Sequence, residues 1–346
     1  MVTLTEVARL SNVSASTVSN ILNGKKNVGE ATRQRVLKVI EETGYEPNFY
    51  ASRMRSQTSR TIGIIAEDLS IYTVPIVERT MAECEDAGYR TILFNMRMYD
   101  RYTDTWYYDE TKIYDVFKVG MSQLRSLKVD GVIYIGGHSR YLNIFSDLED
   151  LPLVVAYGVA KDERIPSVII DDEKGGYDVT KYLLSIGHKN IVLIAGAHAN
   201  LHTQKRLAGY QKALYEYKLL YDPSKVYYGN WVRQSGYDGA RTLIQFKPDA
   251  IVCMNDFMAA GAFDYLREKG IKVPEDISIV GYDDVELAAY TTPALTTNRI
   301  NHDEIGRLSA QKMIAILNGD EEARKEGRKP IKVPCDMVIR DSVVKR

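Results

Sequence analysis

Cysteine is scarce: Cys84, Cys253 and Cys335 are the only three in 346 residues, widely spaced and without a Cys-x-x-Cys pair. An odd, scattered set supports neither a disulfide framework nor a zinc finger, and a reduced, cytoplasmic chain is expected. Long apolar runs are also missing. None approaches the roughly 18 residues that a membrane helix needs, and Glu6 and Arg9 fall where a signal peptide would be apolar, so secretion and membrane spanning are not expected. Neither sign of charge is in excess, 45 Lys+Arg opposing 46 Asp+Glu, which excludes binding through bulk positive charge. Walker loops, Gly-x-Gly-x-x-Gly fingerprints and nucleophile elbows are absent, so the pairs Asp171-Asp172 and Asp283-Asp284 lack the company that catalysis would need. No enzyme and no catalytic residue are expected. His198 and His202 have the spacing of a metal pair but no carboxylate within their segment, so neither metal nor cofactor is assigned.

What is present is globular: 45% hydrophobic and 26% charged residues, in a length that fits two or three domains. The charge is uneven along it. Residues 1–60 hold nine Lys+Arg against five Asp+Glu, whereas the remainder holds 36 against 41. A basic head on an acidic body points to nucleic acid at one end. Thr3-Leu-Thr-Glu6 is a capping box that starts a short helix, and Ser14 can cap a second, Ala15 to Leu22, with Val18, Ile21 and Leu22 on its apolar side. Its other side offers Ala15, Ser16, Ser19 and Asn20. Two short helices joined by a tight turn match a helix-turn-helix whose second helix reads the major groove of double-stranded DNA. A third helix is expected from Glu30 to Gly44, and one or two helical turns from Asn48 to Arg55.

These segments, Leu4-Thr-Glu6-Val-Ala8, Val13-Ser-Ala-Ser-Thr17-Val-Ser-Asn-Ile-Leu-Asn23-Gly24 and Tyr45-Glu-Pro47-Asn48-Phe-Tyr-Ala51, resemble in order and spacing the LacI/GalR family of bacterial transcription regulators. The resemblance implies DNA contacts from Leu4, Ala15, Ser16, Thr17, Ser19, Asn20, Asn23, Lys26, Asn27, Tyr45, Asn48, Ala51 and Met54. In the family a hinge helix after Pro-Asn lies in the minor groove with a Leu wedged between base steps. Met54 stands in that place here.

Beyond Arg60 short β-branched runs alternate with amphipathic stretches, the pattern of parallel sheets covered on both faces. The resemblance covers essentially the whole chain. It implies an N-terminal all-α helix-turn-helix head (1–47), a hinge and linker (48–60), and an α/β body of the periplasmic-binding-protein type I (61–346). That body consists of two doubly wound parallel-sheet lobes linked by three crossovers, with a ligand cleft between them. Lobe 1 is expected over about 61–160 and 290–320, lobe 2 over about 161–289 and 321–346.

Ligands of open α/β sheets sit at the carboxyl ends of strands. Arg206, Trp231, Asn255 and Asp283 follow apolar runs and coincide with family motifs, and Tyr72 and His202 complete the expected effector site. Their chemistry suits a sugar: Arg206 offers forked donors, Asp283 accepts from hydroxyls, Asn255 does both, and Trp231 can cover a pyranose face. Arg206 and Asp283 cancel in charge, which favours a neutral ligand. The stretch from Tyr99 to Tyr114 departs from the family, whose connection after the second strand is much shorter, and its aromatic side chains either cap the cleft or pack against a neighbouring lobe or subunit. The resemblance thus implies a repressor of carbohydrate-utilisation genes that binds operator DNA as a homodimer and responds to a small sugar. The tail after the last strand lacks leucine heptads, so no tetramerising coiled coil is expected.

Overall fold

A computed structural model of the chain describes residues 2–22, 28–45, 58–102, 106–145, 151–325 and 329–346. Contacts divide it into two units, Met1–Arg60 and Thr61–Arg346.

In the first unit, α1 (Leu4–Leu10) starts where the Thr3 side chain accepts the Glu6 N–H, as the capping box predicts. Helix α2 (Ala15–Leu22) starts at Ser14, whose hydroxyl accepts the Thr17 N–H at 3.1 Å. Helix α3 (Glu30–Thr43) ends at Gly44 with φ +59°, a left-handed turn that glycine takes without a Cβ penalty. Val7, Ala8, Val18, Ile21, Val36 and Tyr45 close the core between them.

The second unit is α/β. Its strands are β1 (Thr61–Ala66), β2 (Arg90–Asn95), β3 (Gly131–Ile135), β4 (Tyr141–Leu142), β5 (Leu153–Ala156), β6 (Val159–Ala160), β7 (Ser167–Ile170), β8 (Ile191–Ala195), β9 (Val226–Tyr228), β10 (Ala250–Cys253), β11 (Ser278–Val280), β12 (Thr297–Arg299), β13 (Ile331–Val333) and β14 (Asp336–Val338). Its longer helices are α4 (Thr73–Asp86), α5 (Glu110–Ser126), α6 (Asp172–Ser185), α7 (Leu201–Glu216), α8 (Arg233–Leu243), α9 (Asp256–Glu268) and α10 (His302–Leu317). One parallel sheet has the order β13-β7-β5-β3-β1-β2, the other β11-β10-β8-β9. Strands β1, β3, β5, β8 and β10 are buried along their whole length, which explains their uninterrupted apolar sequence.

The lobe boundaries differ from those read off the sequence. Strand β7 pairs with β5, and β13 pairs with β7 through Val333 opposite Ile170, so both belong to the first lobe. The division therefore falls after Ile170 and not near residue 160. The segment around Thr297, expected in the first lobe, instead pairs with β14 and bridges to Val280 and Asp283 at the edge of the second sheet. Among the segments expected to return, α10 does so and packs on β3, β5 and β7. The chain crosses between lobes after β7, after β12 and after β13. Among the described residues no helix is long and apolar enough to cross a membrane.

Candidate functional site

In the head, α2 buries Val18 and Ile21 and leaves Ser16 exposed, with Ala15, Thr17, Ser19 and Asn20 half-buried beside it. The Ser14 hydroxyl lies 2.8 Å from those of both Ser16 and Thr17, so these two enter any contact already oriented. Leu4 is half-buried at the start of α1. The Tyr45 N–H bonds Ile40 O after the Gly44 turn, its ring closes the head core at 8% exposure, and burial raises its phenol. Asn23, Lys26, Asn27, Asn48, Ala51 and Met54 lie outside the described residues.

In the body, all six expected effector residues converge where strands of both sheets end. His202 and Arg206, one turn apart on α7, both point at Asp172, the first residue of α6. His202 Nδ1 lies 2.7 Å from Asp172 Oδ2, and Arg206 Nε donates to Oδ1 at 2.8 Å. A second Arg206 nitrogen donates to the Met254 carbonyl and lies 3.7 Å from Asp283 Oδ1. The guanidinium sits 3.5 Å from the centroid of the Tyr282 ring and 5.8 Å from that of Trp231. Asn255 donates to the Trp231 carbonyl at 2.8 Å while its Oδ1 caps α9 through the Met258 N–H. Asp283 itself has φ +105°, an unusual conformation for a non-glycine residue.

Two bonds join the lobes here. Tyr72 of the first lobe donates to Asp283 Oδ2 at 3.2 Å, and the Ser139 N–H donates to His202 Nε2 at 3.2 Å. The second bond requires an unprotonated Nε2, so the proton of a neutral His202 rests on Nδ1, against Asp172.

The electrostatics follow from burial. For Asp172, desolvation is outweighed by His202 and Arg206, and its carboxyl falls below the ordinary value. Asp283 is pushed up to about 7 by burial, which the pull of Arg206 and Tyr72 only partly offsets. Asp256 is raised further by burial and by Asp283, and it accepts from the Thr297 hydroxyl at 2.6 Å. On the first-lobe wall, burial and Glu67 raise Asp68 to about 6. Burial, His202 and Arg206 lower His302 to about 4.

Sequence reasoning missed Asp172, Tyr282 and Ser139, as well as Tyr157 and His302: the Tyr157 ring centroid lies 5.5 Å from that of His202 and 5.8 Å from that of His302. Asp172 follows the apolar run Ser167–Ile170 and would have been found by the strand-end rule used for the others. His198 is exposed and packs on Tyr228 while His202 is buried, so that pair does not converge, and among the described residues no group of three or more His, Cys, Asp or Glu could hold a metal ion. Within the aromatic stretch Trp106 is fully buried in a core cluster with Met96, Met98, Ile113 and Phe117, with Tyr99, Tyr107 and His138 around its ring, while Tyr99 and Tyr108 stay exposed. His138 precedes Ser139, so this cluster borders the cleft.

Residues 3–48 match the model of bacterial regulatory proteins of the lacI family, and residues 180–343 that of a periplasmic binding protein-like domain. The HTH-type transcriptional repressor PurR of Histophilus somni strain 129Pt is 32% identical over 348 residues, covering 99% of both chains. That of Vibrio atlanticus strain LGP32 is 31% identical over 330 residues, covering 94% of this chain and 95% of the relative. Among solved structures, the complex of the transcriptional regulator CelR with cellobiose is 26% identical with a TM-score of 0.65, covering 98% of this chain and 99% of that one. A lac repressor dimer bound to operator and an anti-inducer is 24% identical with a TM-score of 0.81, covering 99% of each chain, a likeness of fold.

Proposed function

Because this chain belongs to the lacI family of bacterial regulatory proteins and is a DNA-binding transcriptional repressor, we propose that it represses carbohydrate-utilisation genes and is released from its operator by a neutral sugar bound between the lobes. The observation that carries this reading is the convergence of Arg206, Asp283 and Asn255 beside the Trp231 ring. Arg206 offers donors to ring oxygens, the carboxylate accepts from hydroxyls, and the indole covers an apolar sugar face. Asp172 and Asp283 flank the guanidinium, so a phosphorylated ligand would meet two carboxylates for one cation. The sugar complex of CelR supports the same ligand class.

The repressor acts as a cytoplasmic homodimer on a pseudo-palindromic operator, α2 of each copy entering a major groove, with Leu4, Ala15, Ser16, Thr17, Ser19 and Asn20 at the DNA face. Control is linkage: a sugar that prefers the DNA-free arrangement lowers operator affinity by the factor by which operator lowers sugar affinity. No catalytic step belongs to this reading.

Thermal denaturation of the full chain with glucose, galactose, cellobiose, glucose 6-phosphate, adenine and hypoxanthine tests it. A neutral sugar at about 100 times its Kd adds about 2.7 kcal/mol of stability. Stabilisation by the phosphate ester or a purine base, with none from any neutral sugar, contradicts it.

A further inference from the structure

Gly196 directly follows β8 and does not take a left-handed φ. Its backbone would admit any side chain, so what glycine supplies there is the missing Cβ. A Cβ on Gly196 would lie 2.0, 2.2 and 2.4 Å from Cζ2, Cε2 and Cη2 of Trp231, far closer than real Cβ atoms come to another carbon. The half-buried indole therefore occupies space that any other residue at 196 would fill.

The indole has little freedom to move aside. Trp231 stands at φ +73°, a conformation rare for a bulky residue. Asn255 Nδ2 donates to its carbonyl at 2.8 Å, while Asn255 Oδ1 accepts the Met258 N–H at 2.9 Å and so ties the turn to the start of α9. Just before Trp231, the Gly229 N–H donates to the Ala195 carbonyl at 2.9 Å and the Asn230 N–H to the Ser235 hydroxyl at 3.3 Å. The turn is thus fastened at three points, one of them the residue beside Gly196. The His202 ring stands edge-on to the indole, with centroids 6.5 Å apart and planes at 85°, and the Arg206 guanidinium lies 5.8 Å from its centroid. Glycine stands where the backbone does not require it, and tryptophan where the backbone would favour glycine. The position of the ring explains both.

We propose that Gly196 is a positioning residue for the effector: by lacking a Cβ it seats the Trp231 indole at the end of β8 and so sets how tightly that ring meets the ligand. Its influence passes through Trp231, because no backbone strain at 196 calls for glycine. A ring already held in place loses little freedom when the ligand arrives. The inference rests on the reading of Trp231 as an effector residue.

The test is calorimetry on the full chain with glucose, galactose, cellobiose, adenine and hypoxanthine, for wild type, Gly196→Ala, Trp231→Ala and the double variant, with melting curves and tryptophan emission of each. The chain has two tryptophans, so the emission lost in Trp231→Ala belongs to Trp231. Gly196→Ala should shift that emission and weaken the compound that wild type binds by about tenfold, whereas in the Trp231→Ala background it should lower neither the melting temperature nor the residual affinity further. If Gly196→Ala alone does not fold, removing the indole in the double variant should restore the fold. Equal losses from Gly196→Ala in both backgrounds overturn the inference, because the glycine would then serve the strand and not the ring. An unchanged affinity in Gly196→Ala, where Trp231→Ala binds weakly, overturns it as well. Unchanged affinity in Trp231→Ala, or binding of none of the five compounds, removes the effector reading of Trp231 and the inference with it.

Discussion

Arg206 Nε donates to Asp172 Oδ1 at 2.8 Å across the contact between α6 and α7, with both residues almost wholly buried. The bond orients the guanidinium before any ligand arrives, and Tyr282 supports it from beneath at 3.5 Å. One edge of the fork is thereby committed to the protein. A second nitrogen donates to the Met254 carbonyl and lies 3.7 Å from Asp283 Oδ1.

Removing that cation leaves two buried carboxylates facing each other. Arg206→Ala is expected to cost about 3–5 kcal/mol, the range for breaking a buried ion pair from one side. Adding Asp172→Asn should recover part of it, because the stranded charge is gone. Urea denaturation of the single and double variants checks this; equal stability of the two would mean that Asp172 is not the stranded partner.

The contact itself depends on two glycines. A Cβ on Gly176 would lie 2.2 Å from the Arg206 carbonyl oxygen, and one on Gly209 would lie 2.0 Å from that of Glu173. Alanine at either position must push α6 from α7, at about 1–3 kcal/mol for overpacking, and carry Asp172 away from Arg206 and His202. Gly209→Ala should therefore lower both the melting temperature and effector affinity. Gly29→Ala, where a Cβ meets nothing within 4 Å, should lower neither by this route.

Protonation links the cleft to stability. Asp283 titrates near 7 in the folded chain and Asp68 near 6, against about 3.9 for an unperturbed Asp. Between about pH 4 and about 7 the folded state holds protons that the unfolded state has released, so this contribution to stability is lost as pH rises through the window and is constant above it. Asp172, depressed by its partners, acts with the opposite sign and at lower pH. The melting temperature of the ligand-free protein should decline from pH 5 to pH 7.5 less steeply in Asp283→Asn than in wild type. Parallel curves would show that Asp283 does not titrate there.

Base readout is tested at Asn20, half-buried on α2. Asparagine pairs naturally with adenine N6 and N7, whereas arginine reads guanine O6 and N7. Asn20→Arg should move the half-site preference from adenine to guanine at one position by about 1–3 kcal/mol. Selection from randomised half-sites that returns the same base for both proteins would leave Asn20 a phosphate or capping residue.

Much of this was legible in the sequence wherever the determinant is local. Thr3, Ser14 and Gly44 mark helix ends through bonds within four residues, and the buried strands read as unbroken apolar runs because both their faces are covered. The strand-end rule singled out Arg206, Asn255 and Asp283, which the fold brings to neighbouring strand ends. What escaped depends on long-range pairing. Nothing local in Ile331-Lys-Val333 distinguishes an edge of one sheet from an edge of the other, so its union with β7 was not foreseen. The part Tyr45 takes in the head core is set by packing against helices distant in sequence.

The central claim is that a neutral sugar in the cleft controls grip on DNA. The direct measurement is fluorescence anisotropy of a labelled operator, obtained by half-site selection, titrated with the full chain in the presence and absence of the neutral sugar that stabilises it most. Saturating sugar should raise the operator Kd at least tenfold, about 1.4 kcal/mol of coupling, in wild type and far less in Asp283→Asn. An operator Kd unchanged by saturating sugar in the wild-type protein would contradict the account.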